Sequence, residues 1–74
     1  MFSFETKSVV MFEQGLTGVV ERTIKPGAKG QIKFQGSYWS AALYPPHHDK
    51  AIPRGQRVTI IGREGITLLV HPML

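Results

Sequence analysis

Cysteine is absent from this 74-residue chain, which excludes disulfide staples and thiolate metal sites and fits a reducing compartment. Acidic residues are scarce, 5 against 9 lysines and arginines, and no two carboxylates are spaced for general acid–base work. Ser3, Ser8, Ser37 and Ser40 sit in no Gly-x-Ser-x-Gly elbow and in no Ser-x-x-Lys motif. The stretch Gly27-Ala28-Lys29-Gly30 is too short for a phosphate-cradling loop that opens a helix. No segment approaches the roughly 20 apolar residues of a membrane-spanning helix, and Met1–Phe12 lacks the basic start of a signal peptide. These absences point to a chain that is not an enzyme and holds no cofactor or metal. Its length allows one domain, whose core is small: a chain of this size buries only about 60% of its unfolded surface.

What is present is a β pattern. Gly30–Leu43 reads as a hairpin with a Gly36-Ser37 turn of type II′, which would pair Phe34 with Trp39 and Ile32 with Ala41. Those four residues share one face, and Gln31, Lys33, Gln35, Tyr38 and Ser40 share the other. Ahead of it, Gly18–Ile24 is a β-branched strand in which Val20 and Ile24 point inward. Parity would carry Arg22 inward with them unless the strand bends. After Leu43, three prolines exclude a long helix, and Ile52 is the anchor of the resulting loop. A second hairpin, Arg57–Gly62 with Ile66–Val70, is predicted to turn on Arg63-Glu64-Gly65. Val58, Ile60, Leu68 and Val70 then face inward, and Thr59, Ile61, Thr67 and Leu69 face outward.

The expected core is thus Val20, Ile24, Ile32, Phe34, Trp39, Ala41, Val58, Ile60, Leu68 and Val70. Five short strands broken by Gly/Pro turns predict an all-β fold, a small five-stranded Greek-key barrel of the OB type. An SH3-like barrel is the nearest alternative. Residues 1–14 are set apart as an apolar N-terminal arm, either covering one end of the barrel or docking on another subunit; residues 15–74 make the barrel.

Two function classes fit this pattern. A protein-interaction module would use the outer face of the second hairpin (Thr59, Ile61, Thr67 and Leu69) with the arm residues Phe2, Phe4, Val10 and Phe12. A single-stranded nucleic-acid binder would stack bases on Tyr38 beside Lys33, but it calls for a stripe of exposed aromatics and a denser basic groove. The net charge of +4 favours acidic partners in general, with no run of Lys/Arg to mark nucleic acid. The cluster His47-His48-Asp49, with His71 distant in sequence, has ligand chemistry but not the four ordered ligands of a structural zinc site.

The motifs Gly15-x-x-Gly18, Ile24-x-Pro26, Gly36-x-x-Trp39-x-Ala41, Ile52-x-x-Gly55-x-x-Val58-x-Ile60 and Gly65-x-x-Leu68-x-Val70-x-Pro72 resemble the C-terminal soluble domain of NfeD-like proteins. The resemblance spans Gly15 to Pro72. It implies an OB barrel without catalytic residues, acting as the interaction module for stomatin/prohibitin-type membrane scaffold proteins. Three departures stand out: a longer Pro26-to-Gly30 turn, Arg22 in place of a small residue, and Leu43 where serine is common. The membrane helices and protease domain that accompany this barrel elsewhere are not in this sequence, so it reads as an excised domain or a short free-standing homologue. With no apolar span and no cysteine, the expectation is a soluble, cytoplasmic chain that meets a membrane through its partner, with self-association a further expectation.

Overall fold

The computed structural model describes residues 8–45 and 49–73. Five strands follow one another: β1 Val9–Arg22, β2 Gly30–Phe34, β3 Ser37–Leu43, β4 Arg57–Glu64 and β5 Thr67–Pro72. They close into a barrel in the order β1-β2-β3-β5-β4, with β4 returning to β1. Every pairing is antiparallel except β3 with β5. This is the Greek-key barrel expected from the strand count.

Inside it, Val20, Ile24, Ile32, Ala41, Val58, Ile60, Leu68 and Val70 are buried together with Leu43 and Ile52. Phe34 and Phe12 are partly buried against that cluster. Parity alone would have sent Arg22 inward, and β1 avoids this with a register shift between Val20 and Arg22. An irregularity of this kind re-aims the residues that follow it, so Arg22 is exposed while Val20 and Ile24 stay inside. Ile24 and Ile52 then exchange backbone hydrogen bonds of 3.0 and 2.8 Å, which pins the long β3–β4 connection to the barrel.

Both hairpins differ from the sequence expectation in their turns. In the first, Gln35 and Gly36 form the turn, with φ of 50° and 80°, and Phe34 pairs with Ser37. Positive φ at both central residues is the type I′ geometry, whose twist suits a two-residue hairpin. Ile32 therefore pairs with Trp39 and Gly30 with Ala41. The pairing slides by two positions, so the face assignment is preserved, but Trp39 is not core: it is 39% exposed. The reason is topological. β5 covers β3 only at Ala41–Leu43, leaving Trp39 at the mouth of the barrel before that pairing begins.

In the second hairpin the turn is Gly65-Ile66, between the paired residues Glu64 and Thr67, not Arg63-Glu64-Gly65. A register shift between Ile60 and Gly62 realigns the ladder, so Ile60 pairs with Val70 and Val58 with Pro72. Ile66, expected beside Gly62, is instead at the turn tip and 84% exposed. Of the stretch read as an arm, Phe2 and Phe4 lie outside the described residues, and Val9–Gln14 is the first half of β1.

Candidate functional site

The outer face of the second hairpin is not an open surface. Leu69 is 3% exposed and Thr67 is also buried, while Thr59 and Ile61 are half-buried. Leu69 lies outside the core cluster, since Leu68 and Val70 take the inward positions on β5. Its register partners are Ala42 and Gly62, and Met11 pairs with Gly62 in turn. A side chain on Gly62 would meet the Met11 sulfur at 3.1 Å, so Met11 occupies the space over Gly62 in the row that contains Leu69. On the other side, the β1–β2 loop faces Ala42 and Leu43 across one concavity, and Lys29 faces Thr67 across another. The chain thus covers part of its own outer sheet.

Exposed apolar surface is found along β1 instead. Val9, Val10, Met11, Leu16 and Val19 are all exposed. Val9–Met11 pair with Gly62–Glu64 of β4, but β2 reaches β1 only at Val19–Arg22. Among the described residues, then, no strand flanks Val9–Gly18 on that second side. A sheet edge with free backbone donors and acceptors beside apolar side chains is suited to holding another chain. Val10 belongs to this edge, and Phe12 turns back onto the core. The apolar composition of this run was legible in the sequence; its continuity with β1 was not, because irregular pairing between Met11 and Leu16 disguises one strand as two segments.

Lys33 and Tyr38 are brought together as direct cross-strand partners, with the lysine Nζ 5.6 Å from the tyrosine ring centroid. That contact is a cation–π pair, and it occupies a ring face on which a base would stack. His47 and His48 lie outside the described residues. Among the described residues, no group of three or more His, Cys, Asp or Glu is placed to hold a metal ion.

A second surface, not singled out from sequence, surrounds the β1–β2 loop. Three adjoining concavities of about 410, 270 and 170 Å³ all include Lys29 in their walls. The first is shared with Arg22 and Lys25, the second with Glu64, Ile66 and Thr67, and the third with Lys25 and Ala42. Together they form a shallow groove between the β1–β2 loop and the β4–β5 turn. The sequence signal was there in Lys25 and Lys29 flanking Pro26-Gly27, but only the fold sets Lys29 beside Ile66.

Among the described residues no helix is long and apolar enough to cross a membrane. Among curated proteins, no sequence matches this chain. Solved structures do. The C-terminal domain of stomatin operon partner protein 1510-C from Pyrococcus horikoshii is similar at 30% identity and a TM-score of 0.69, over 81% of this chain and 86% of that one. The soluble domain of a membrane protein implicated in regulation of membrane protease activity, from Corynebacterium glutamicum, is similar at 28% identity and a TM-score of 0.70, over 81% of this chain and 90% of that one. Residues 14–72 match the family model described as the NfeD-like C-terminal, partner-binding domain. The closed barrel and that match over most of the sequence agree, and the chain belongs to the NfeD-like C-terminal, partner-binding domain family.

Proposed function

We propose that this protein is a non-catalytic docking module that binds a stomatin-type membrane scaffold protein through the edge of β1. The observation that carries the proposal is the exposed apolar run Val9–Met11, a part of β1 that pairs with β4 and, among the described residues, with no strand on its other side. The similarity to a stomatin operon partner protein supports the choice of partner. In this reading a strand of the partner adds to β1, with backbone hydrogen bonds supplying affinity and the alternating side chains supplying selectivity. Ile61 and Thr59 on β4 extend the surface. Thr67 and Leu69 are left out of it because they are buried. The module works from the soluble phase of the cytoplasm and reaches the membrane through its partner.

Co-expression with a stomatin-family protein, followed by affinity capture and size-exclusion chromatography, tests this reading. The native chain is expected to co-elute with the partner, and Val9→Asp with Val10→Asp to abolish co-elution while leaving the circular dichroism spectrum unchanged. Co-elution that survives both substitutions rules out the β1 edge. A nucleic-acid-binding role through Lys33 and Tyr38 draws less support, because the two side chains are engaged with each other.

A further inference from the structure

The groove around Lys29 has no part in the β1-edge contact, and its composition is specific. Three cations, Arg22, Lys25 and Lys29, line it, and all three are exposed. Among the described residues, the one carboxylate in its walls is Glu64, at the far end beside the turn. Lys33 continues the positive charge, standing on the same outward face of β2 as Gln31, whose partner across β1 is Arg22. At the turn end Ile66 projects, the most exposed of the large apolar side chains on the described surface. The floor is made of small or uncharged residues, Ala28, Ala42 and Thr67, which leaves room for a ligand backbone.

We propose that this groove takes an acidic, extended segment of the protein partner, with carboxylates over Arg22, Lys25 and Lys29 and an apolar residue against Ile66. The assignment deepens the partner-binding reading and rests on it: the β1 edge supplies backbone pairing, and the groove selects by charge. The ligand is a peptide rather than a nucleic-acid strand because, among the described residues, the groove is lined by no aromatic side chain on which bases could stack, and the nearby Tyr38 ring is engaged by Lys33. Apolar contact at Ile66 likewise rewards a side chain and not a phosphate backbone. Charge complementarity of this kind raises association rates and rejects wrong partners more than it adds raw affinity.

The test uses fluorescein-labelled peptides (Glu-Glu-Leu)4 and (Gln-Gln-Leu)4 and the single strand oligo(dT)12, titrated with the native chain by fluorescence anisotropy at two salt concentrations. The acidic peptide is expected to bind, more weakly at the higher salt, and the glutamine peptide to bind at least about tenfold more weakly. Lys25→Glu with Lys29→Glu is expected to weaken acidic-peptide binding by on the order of tenfold, the scale of replacing two surface attractions by repulsions. Lys25→Arg with Lys29→Arg should retain binding. The charge-matched control Lys50→Glu with Arg54→Glu should lower it by no more than about twofold. Equal binding of the two peptides, tighter binding of oligo(dT)12, no binding at all, or an equal loss in the control pair overturns the proposal. The two readings separate in the co-elution experiment. If the Lys25/Lys29 reversal leaves partner capture intact, the groove is refuted while the β1 edge stands; if the native chain captures nothing, the docking reading itself fails.

Discussion

Replacing Gly30 with alanine probes a backbone approach as tight as any at the barrel's glycines, matched by Gly62 against the Val10 carbonyl. Gly30 is the first residue of β2 and is buried, paired with the core residue Ala41. A Cβ built on it would collide with the carbonyl oxygen of Arg22, stand 2.5 Å from that of Thr23 and 2.7 Å from Cγ1 of Ile24. Two of these neighbours are backbone atoms at the end of β1, so no rotamer change relieves them, and the β1–β2 loop must move. Overpacking of this kind costs about 1–3 kcal/mol, and fixed carbonyls put Gly30→Ala near the top of that range. The narrower unfolded ensemble of alanine returns about 0.4–1 kcal/mol, leaving a net loss of about 2 kcal/mol. A domain of this length is stable by roughly 4–11 kcal/mol, and at about 1 kcal/mol per molar urea the midpoint should fall by about 2 M. Gly27→Ala is the comparison, because Gly27 has a φ of +79° with nothing within 4 Å of the added carbon. It pays only the left-handed backbone cost, about 1–2 kcal/mol before the same entropic return. Urea denaturation followed by tryptophan fluorescence and far-UV circular dichroism ranks the two. A Gly30→Ala midpoint within about 0.5 M of the native value, or a larger loss from Gly27→Ala, would mean that steric crowding is not what holds glycine at position 30.

Trp39 stands at the barrel mouth and Ile60 is completely buried, so Ile60→Ala should destabilise more, by about 2–5 kcal/mol, than Trp39→Ala, which should cost less than the roughly 3–5 kcal/mol of a fully enclosed tryptophan. The order of the two thermal midpoints checks this, and iodide should quench the native Trp39 fluorescence. Arg54 reaches Glu21 at 3.7 Å with its side chain 77% exposed. Arg54→Ala should therefore shift stability by no more than about 0.5 kcal/mol after screening, and the shift should vanish in 1 M salt; a larger change by chemical denaturation would show that the pair holds the β3–β4 connection.

How far the sequence could be read depended on how local each feature is. Strand alternation is local, and the inward positions of β2, β4 and β5 followed from it: Ile32, Val58, Ile60, Leu68 and Val70 are all buried. Turn position is less local. Gly36-Ser37 and Gln35-Gly36 are both sound two-residue turns, and the choice fell to the one that pairs Ile32 with Trp39 and Gly30 with Ala41. Only glycine fits opposite Ala41, where the end of β1 crowds in. The side-chain alternation that survives a two-position slide could not distinguish them. Exposure is the least local property of all. Trp39 has a core residue's parity and partner, yet remains open because β5 starts pairing two residues further along β3.

Thr67 and Leu69 show the reverse case, and it bears directly on function. Alternation places them on the outer face, where a threonine and a leucine would mark a contact surface. They are nonetheless buried: Met11 lies over Gly62, the partner of Leu69, and Lys29 stands across a concavity from Thr67. Both neighbours are more than 35 positions away in the chain, beyond any pattern along β5 itself. The same folding back that closes this face opens two others. It leaves the far side of the first half of β1 apolar and flanked by no strand among the described residues, and it sets Lys29 beside Ile66 with Lys25 next along the same loop. A partner-binding domain needs surface that its own chain does not satisfy, and in this barrel that surface is the β1 edge and the basic groove rather than the hairpin whose outward alternation first suggested it.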